Sequence, residues 1–321
     1  MSQITGGHVN VGQLETYTFS HTLILKAKQI SFLGDFHIVF IEEDEVSGPD
    51  LVIYRFTDET TIDRLTLPEN CEYFIHKDNT SNTVLVFEDL GFYKISLNAE
   101  FRMQEQEFIE LSFQSQCIAV DNGLIYHLVD SNDSCEVLVT DLQGRNQQMI
   151  YRSDDDIQDI YAEKDMLFVF GHKQLCIINV QSSDQVYIDM VEYTPLVVEE
   201  LYSFELNCFV FFFSGNDEYK CLIMQRDMTY IIIETGIKIS EEPEEPEFFP
   251  FILCSCRLLI VEDIIYIVEG INLEAKSVSF TPVSCMDIVD IISSKGIRLL
   301  HTIYEPDLDI ECGMLTAICK E

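Results

Sequence analysis

The sequence predicts an all-β protein in which a unit of four antiparallel strands recurs along the chain. Short runs of β-branched, aliphatic and aromatic residues alternate with turn residues over most of its length. The turn between the first two strands of each unit recurs about every 40 to 45 residues. The second strands are apolar on both faces, as in the run from Phe209 to Phe213, whereas a strand with one solvated face alternates apolar and polar residues. Together these observations predict stacked sheets without helices.

The unit is clearest between Cys117 and Arg152. Its predicted strands are Ile118–Val120, Leu124–Val129, Val137–Thr140 and Gln148–Tyr151. A hairpin turn at Asp121, Asn122 and Gly123 separates the first two, because Asn and Gly tolerate the positive φ that such turns require. Four strands without a helix cannot bury both faces of their sheet alone. We therefore expect the unit to stack on copies of itself.

Six further copies are predicted, and they start at Ile30, Tyr73, Ile160, Leu201, Leu258 and Ile291. The sixth copy has a weak fourth strand near residues 285–289, and the last copy has no fourth strand. Two strands before the first copy, Leu14–Phe19 and Thr22–Ala27, are expected to complete the last one. Such pairing would close a ring and remove exposed sheet edges.

Four strands per repeat with this period are typical of the blades of a β-propeller. The predicted fold is all-β: a single β-propeller of seven four-stranded antiparallel blades, closed by the N-terminal strands, with six or eight blades as alternatives. It spans residues 1–321 as one domain. Residues 1–12 are expected to form a flexible tail, and the Glu- and Pro-rich residues 240–247 an acidic loop insertion.

Polar residues follow the third strands of several units at comparable positions. Asp141 lies near the place of the Asp in the Trp-Asp pair of WD40 repeats, and Asn98 and Asn179 are placed similarly. In repeat length and strand order the chain resembles the WD40-like seven-bladed β-propellers over nearly its whole length. It is divergent, because it contains no Trp and because Gly7-His8 and Gly171-His172 do not precede a first strand. The resemblance implies a non-enzymatic scaffold for protein–protein interactions within a multiprotein complex.

The chain is strongly acidic but has the composition of a folded protein. Its 321 residues include 56 acidic and 19 basic residues, which gives a formal net charge of −37, while 47% are hydrophobic. That apolar content supports a core, so the charge is expected on the surface. Direct binding of DNA or RNA, or of an anionic membrane surface, is disfavoured because both require clustered Lys and Arg.

The sequence predicts a cytoplasmic or nuclear protein. Its N-terminus lacks the basic and apolar regions of a signal peptide. The strongest transmembrane candidate, Phe248–Val268, contains Pro250, Arg257 and Glu262, which a bilayer span would not carry. The 11 cysteines are scattered through predicted strands, and we expect them to be reduced and buried.

No motif for catalysis, cofactor binding or metal binding stands out. Cys254 and Cys256 form a C-x-C pair, but no second pair of ligands at useful spacing completes a zinc site. Neither a Gly-x-Ser-x-Gly elbow nor a phosphate-cradling Gly-rich loop occurs. We therefore expect no catalytic residue, no cofactor, no metal and no enzymatic activity.

Acidic runs fall in loops that a propeller places on one face, between second and third strands and between consecutive blades. Turns on the opposite face hold basic residues among their acids, at Lys77, Arg102, Arg145, Lys164, Arg226 and Lys295. A face kept this acidic is expected to dock a basic segment of a protein partner in a hetero-complex. The predicted protein-binding residues are Glu42, Glu43, Asp44, Asp154, Asp155, Asp156, Glu241, Glu242, Glu244 and Glu245. The alternatives are a propeller hydrolase or lyase with a central-channel site, and an acidic inhibitor that mimics nucleic acid.

Overall fold

All regular elements of the described chain are β-strands. The computed structural model describes residues 18–26, 30–33, 37–44, 48–55, 60–68, 73–78, 81–131, 134–172, 174–189, 194–195, 197–200, 202–203, 207–214, 218–238, 253–255, 258–261, 264–272, 275, 277–284, 299–305 and 310–319. Within these ranges, side chains are described between 31–189, 207–238 and 271–280. The all-β prediction is confirmed for this part of the chain.

The strands of the first part of the chain are β1 (Thr18–Lys26), β2 (Ile30–Phe32), β3 (His37–Asp44), β4 (Gly48–Arg55), β5 (Thr60–Thr66), β6 (Phe74–Asp78), β7 (Thr83–Glu88), β8 (Gly91–Leu97), β9 (Met103–Glu110), β10 (Cys117–Asp121), β11 (Leu124–Ser131), β12 (Ser134–Asp141) and β13 (Gln148–Ser153). The later strands are β14 (Ile157–Glu163), β15 (Met166–Gly171), β16 (Gln174–Asn179), β17 (Gln185–Asp189), β18 (Thr194–Pro195), β19 (Val197–Glu200), β20 (Tyr202–Ser203), β21 (Cys208–Ser214), β22 (Glu218–Gln225), β23 (Tyr230–Lys238), β24 (Leu253–Ser255), β25 (Leu258–Val261), β26 (Ile264–Asn272), β27 (Ser277–Ser284), β28 (Leu299–Glu305) and β29 (Ile310–Cys319).

The described residues divide into two compact units. One draws on the described residues within 14–154, 160–162 and 289–321, and the other on those within 155–159 and 163–288. The first unit contains the four-stranded sheets β2-β3-β4-β5, β6-β7-β8-β9 and β10-β11-β12-β13, and the three-stranded sheet β1-β29-β28. The second contains the sheets β18-β21-β22-β23 and β19-β24-β25-β26-β27, together with β14-β15-β16-β17 apart from residues 160–162 of β14.

The second strand of a sheet is buried on both faces, as predicted. In the first unit, Val84 and Val86 of β7 pack in a core with the β2–β5 sheet, while Leu85 and Phe87 pack in another with Val120 and its sheet. Successive side chains of a strand point to opposite faces, so β7 lies between two neighbouring sheets. In the second unit, Phe211 of β21 contacts residues of β15, whereas the adjacent Phe212 contacts Phe280 of β27.

Burial decreases towards the fourth strand of each sheet. The central residues of β7 and β15 are buried, whereas those of β9 and β17 are mostly exposed. An inner strand has a sheet on each face, and an outer strand borders solvent along one edge. This gradient is the one expected for blades packed side by side around a common centre.

The hairpin and turn predictions agree with the structure. Asn122 and Gly123 have φ values of 50° and 76°, the left-handed conformation that the predicted hairpin between β10 and β11 requires. Asp141 and Asn179 end third strands, Asn98 directly follows one, and all three cap the following turns. Their side-chain oxygens accept hydrogen bonds from backbone N–H groups two to four residues further along, which is typical of Asx turns. The repeat is therefore visible even in its turns.

Two details of the strand predictions are wrong. Where the pair Leu14–Phe19 and Thr22–Ala27 was predicted, the described residues 18–26 form one strand, β1, in which Thr22 lies opposite Thr316 of β29. The short strand β24 was not predicted, and it precedes the strand expected to open the sixth copy. Ser20 and His21 are polar, yet pairing with β29 continues on both sides of them, so the character of the residues alone does not locate strand ends.

The N-terminal strand lies in one sheet with the last two strands, as the closure model requires. The number of blades and the closure of a ring stay predictions. Residues 1–12, residues 240–247 and the strands predicted near 285–289 and 291–292 lie outside the described residues.

Candidate functional site

The connections at one end of the sheets in the first unit are acidic, whereas the turns at the other end hold acidic and basic residues together. Because the strands are antiparallel, the β3–β4, β7–β8 and β11–β12 connections lie at the same end of their sheets as the chain leaving the fourth strand. We call this end the acidic end and define it by Glu42, Glu88, Asp89, Asp130 and Asp154.

The opposite end carries basic residues in its turns. Arg102 follows the β8–β9 turn and Arg145 lies in the β12–β13 turn, as expected from the sequence. Lys164 and Arg226 occupy the β14–β15 and β22–β23 turns of the second unit. Lys295 lies outside the described residues.

The structure describes the side chains of four of the ten predicted protein-binding residues. Glu42 is half-buried near the end of β3, and Asp154 and Asp156 are exposed after β13, with Asp155 half-buried between them. Asp154 belongs to the first unit, whereas Asp155 and Asp156 belong to the second. Glu43 and Asp44 continue β3 opposite Pro49 and Gly48, but their side chains are outside the described set. Glu241, Glu242, Glu244 and Glu245 lie outside the described residues as well.

Two residues missed by the sequence analysis surround Glu42. Asp50 of β4 lies directly opposite Glu42, and Arg64 of β5 lies opposite Val52, on the same face of the sheet. The guanidinium of Arg64 contacts Glu42 Oε2 at 2.6 Å and Asp50 Oδ2 at 2.8 Å. The hydrogen bond with Asp50, opposed by partial burial and reinforced by Glu42, raises the pKa of Arg64. Cross-strand pairing of charges within one hairpin was the signal that could have found this cluster.

At the opposite end, the carboxylate of Asp141 is committed to its own turn. It accepts hydrogen bonds from the backbone N–H groups of Gln143 and Arg145 and from the side chain of Asn146. Although desolvation opposes the effect, these bonds lower the pKa of Asp141. This acid therefore stabilises a turn and is not a free docking group.

A second polar arrangement joins Ser115, His127 and Thr140 inside the first unit. Ser115 Oγ lies 2.9 Å from His127 Nδ1, and His127 Nε2 lies 3.0 Å from Thr140 Oγ1. A nucleophile, a base and an orienting group could be arranged in this way. However, His127 is fully buried, with Phe87 and Phe113 packed edge-on against its ring.

The arrangement of Ser115, His127 and Thr140 is poorly suited to catalysis. Burial lowers the pKa of His127 from 6.5 to about 4, so the ring is neutral at pH 7. Thr140 is a neutral orienting group and does not stabilise an imidazolium as a carboxylate would. We interpret the arrangement as a hydrogen-bonded core histidine. Sequence reasoning missed it, because these residues come together only through strand pairing.

The described cysteines are mostly buried. Cys135, Cys176, Cys208 and Cys221 are buried thiols, and Cys117 is a half-buried thiol. Burial raises the pKa of Cys208 to about 11, which suppresses its thiolate. Among the described residues, no three His, Cys, Asp or Glu side chains are grouped closely enough to hold a metal ion. Within the same residues, no helix has the length and apolar character needed to cross a membrane.

Comparison with known proteins identifies the fold through structure and not through sequence. No protein-family model and no curated protein sequence matches the chain. The solved WD40 repeats of RRP9 match 94% of this chain and 99% of their own, with a TM-score of 0.57 and 8% identity. The structure of U3-55K matches 93% of this chain and 98% of its own, with a TM-score of 0.54 and 9% identity.

An enzyme has a comparable fold. An oligogalacturonate lyase in complex with manganese matches 95% of this chain and 98% of its own, with a TM-score of 0.55 and 9% identity. At such identities the likeness concerns the fold alone. The predicted resemblance to WD40-like β-propellers is confirmed.

Proposed function

We propose that the protein is a non-enzymatic scaffold, a single seven-bladed propeller closed by β1, which docks a basic segment of a protein partner on its acidic end. In this proposal it works as one subunit of a multiprotein complex in the cytoplasm or nucleus. The fold is compatible with this role, but many activities occur on propellers, so the proposal must rest on the surface.

The acidity of the connections at one end of the sheets supports the proposal most strongly. Glu88, Asp89 and Asp154 occupy connections at the acidic end, whereas Arg102 and Arg145 accompany Glu100 and Asp141 in turns at the other end. Carboxylates held close together repel each other, and a net charge of −37 adds to that cost. A basic partner removes the repulsion and is steered towards the acidic end during encounter.

The enzymatic alternative is favoured by one observation, the likeness to a lyase that carries manganese. It would require His, Asp and Glu side chains to converge on a common centre. The candidate that the described residues offer, His127 with its two hydroxyl neighbours, lacks both solvent access and a carboxylate. A scaffold is therefore the better-supported function.

Parallel affinity capture with three immobilised full-length proteins tests the proposal. The first is the wild type, the second carries Asp154, Asp155 and Asp156 changed to Lys, and the control carries Glu100 and Asp184 changed to Lys. The control acids lie in the β8–β9 and β16–β17 turns, at the other end of their sheets. The expected partners are retained by the wild type and the control and are lost by the triple variant. Equal retention by all three would refute docking at the acidic end.

A further inference from the structure

The Glu42, Asp50 and Arg64 cluster has an unusual feature for an ion pair near a surface. The side chain of Asp50 is only 7% exposed, while that of Arg64 is 44% exposed. Asp50 Oδ2 accepts a hydrogen bond from Arg64 Nη1 at 2.8 Å, but the buried Oδ1 of the same carboxylate has no hydrogen-bond partner. A buried carboxylate oxygen without a donor is costly, and such an atom calls for an explanation.

The geometry indicates which kind of donor the carboxylates of Glu42 and Asp50 bind. Glu42 and Asp50 face each other across the β3–β4 hairpin, so their carboxylates lie side by side on one face of the sheet. Arg64 reaches both from β5 with two different nitrogens of its guanidinium, Nη2 and Nη1. The pair of carboxylates therefore already works as a receptor for a planar, forked donor, and Glu42 is its more exposed member.

We infer that Glu42 and Asp50 form a binding site for an arginine side chain of the basic partner, and that Arg64 occupies this site while the protein is free. The inference rests on the proposed function, because it names the residue type that the acidic end receives. An incoming guanidinium replaces Arg64 at Glu42 and Asp50, so Asp50 keeps a cationic neighbour throughout.

The exchange is feasible because Arg64 is accessible and because an incoming guanidinium takes over its contacts. The Arg64 side chain is 44% exposed and that of Glu42 36%, whereas the buried Asp50 carboxylate would be costly to leave without a cation. Arginine is preferred over lysine, because a guanidinium offers five donors in a fixed fork whereas an ammonium is a compact point charge. Arg64 therefore acts as an internal competitor that makes the site selective for arginine-rich segments.

Fluorescence anisotropy with two labelled peptides of equal length, octa-arginine and octa-lysine, tests this inference on the full chain at low salt. Arg64→Gln removes the competitor, and Arg152→Gln is the matched control, because Arg152 is also an exposed arginine that faces a single carboxylate, Glu136, at 3.8 Å. Both variants lose one positive charge. We expect Arg64→Gln to bind octa-arginine about fivefold more tightly than Arg152→Gln does, and to bind octa-lysine equally.

A second pair of variants examines the carboxylate. Asp50→Asn is expected to weaken octa-arginine binding by about fivefold or more relative to Glu100→Gln, which removes the same charge from the other end of a sheet. Thermal melting confirms that each variant is folded. If Asp50→Asn does not fold, Arg64→Lys replaces it, because it keeps the charge, weakens the competitor and should tighten binding of octa-arginine relative to the wild type.

The outcomes separate the inference from the proposed function. Tight binding of both peptides, with no difference between Arg64→Gln and Arg152→Gln, would overturn the arginine site and leave the scaffold proposal intact. Failure of the wild type to bind either peptide at low salt would overturn both.

Discussion

Replacing Phe211 and Phe212 by alanine, one at a time, tests whether a second strand is packed between two sheets. Both side chains are fully buried, although adjacent residues of a strand point to opposite faces. Phe211 lies 6.3 Å and 5.9 Å, centroid to centroid, from the rings of Phe168 and Phe170. Phe212 lies 5.8 Å from the ring of Phe280.

The expected cost is large for both variants. Removing a buried phenylalanine costs about 3 to 5 kcal/mol, and each lost aromatic pair contributes roughly 0.5 to 1.5 kcal/mol to that figure. A strand with one solvated face would give a large cost at one of the two positions and a small cost at the other. Equal, large costs are therefore diagnostic of a strand enclosed on both faces.

Urea unfolding at neutral pH with a reductant present measures the two costs from the shift of the midpoint. Phe108→Ala is the control, because its ring is 43% exposed on the outer strand β9 and packs mainly on Tyr93. We expect the control to lose about 1 kcal/mol. A loss below about 1 kcal/mol at either Phe211 or Phe212 would refute packing between two sheets.

Three further predictions concern the core, one turn and the chain ends. Burial lowers the pKa of His127 from 6.5 to about 4. Between these two pH values the unfolded chain binds a proton at this residue and the folded chain does not. His127 therefore lowers the free energy of unfolding as the pH falls from 6.5. Its share between pH 7 and pH 5 is about 2 kcal/mol, and His127→Gln should show a correspondingly smaller drop in Tm over that range; an unchanged drop would contradict the burial argument. Gly144→Ala should lower the free energy of unfolding by about 2 kcal/mol or more, because φ is +68° and the new Cβ would lie 2.7 Å from Ile109 Cγ2. This loss should be smaller when Ile109 is also changed to Ala. If the losses of the two single variants simply add in the double variant, the clash is refuted. Deleting residues 1–27 removes β1, exposes the edge of β29 and should give insoluble protein, whereas a soluble chain with unchanged melting would refute the closure model.

The sequence predicts the strands and their burial well, because both follow from local chemistry. Asn122 and Gly123 specify a hairpin through their tolerance of positive φ, and the unbroken apolar run from Cys208 to Phe213 indicates burial on both faces. The strand Leu253–Ser255 is not readable from the sequence, because three residues are too few to show a strand period.

The candidate site is harder to predict because it depends on register. The acidic run predicts Glu42, but its proposed role depends on Asp50 and Arg64, which strand pairing brings beside it. A shift of one residue in the β3–β4 register would place Asp50 on the face opposite Glu42, and the two carboxylates would no longer be neighbours. In the same way, Ser115 and Thr140 meet His127 only after three segments have come together.

The central claim is that the acidic end receives a basic partner by electrostatic attraction, and association kinetics test it most directly. The rate constant for binding of labelled octa-arginine to the full chain is measured by stopped-flow over a range of salt concentrations. The same series is recorded for the Asp154, Asp155 and Asp156 to Lys variant and for the Glu100 and Asp184 to Lys control. Near physiological ionic strength, charges act over only about 8 Å, so the wild-type rate should fall steeply with salt. The account predicts slower association for the triple variant, with little change in dissociation and a control that behaves like the wild type. Rates indifferent to salt, or equal losses in both variants, would contradict it.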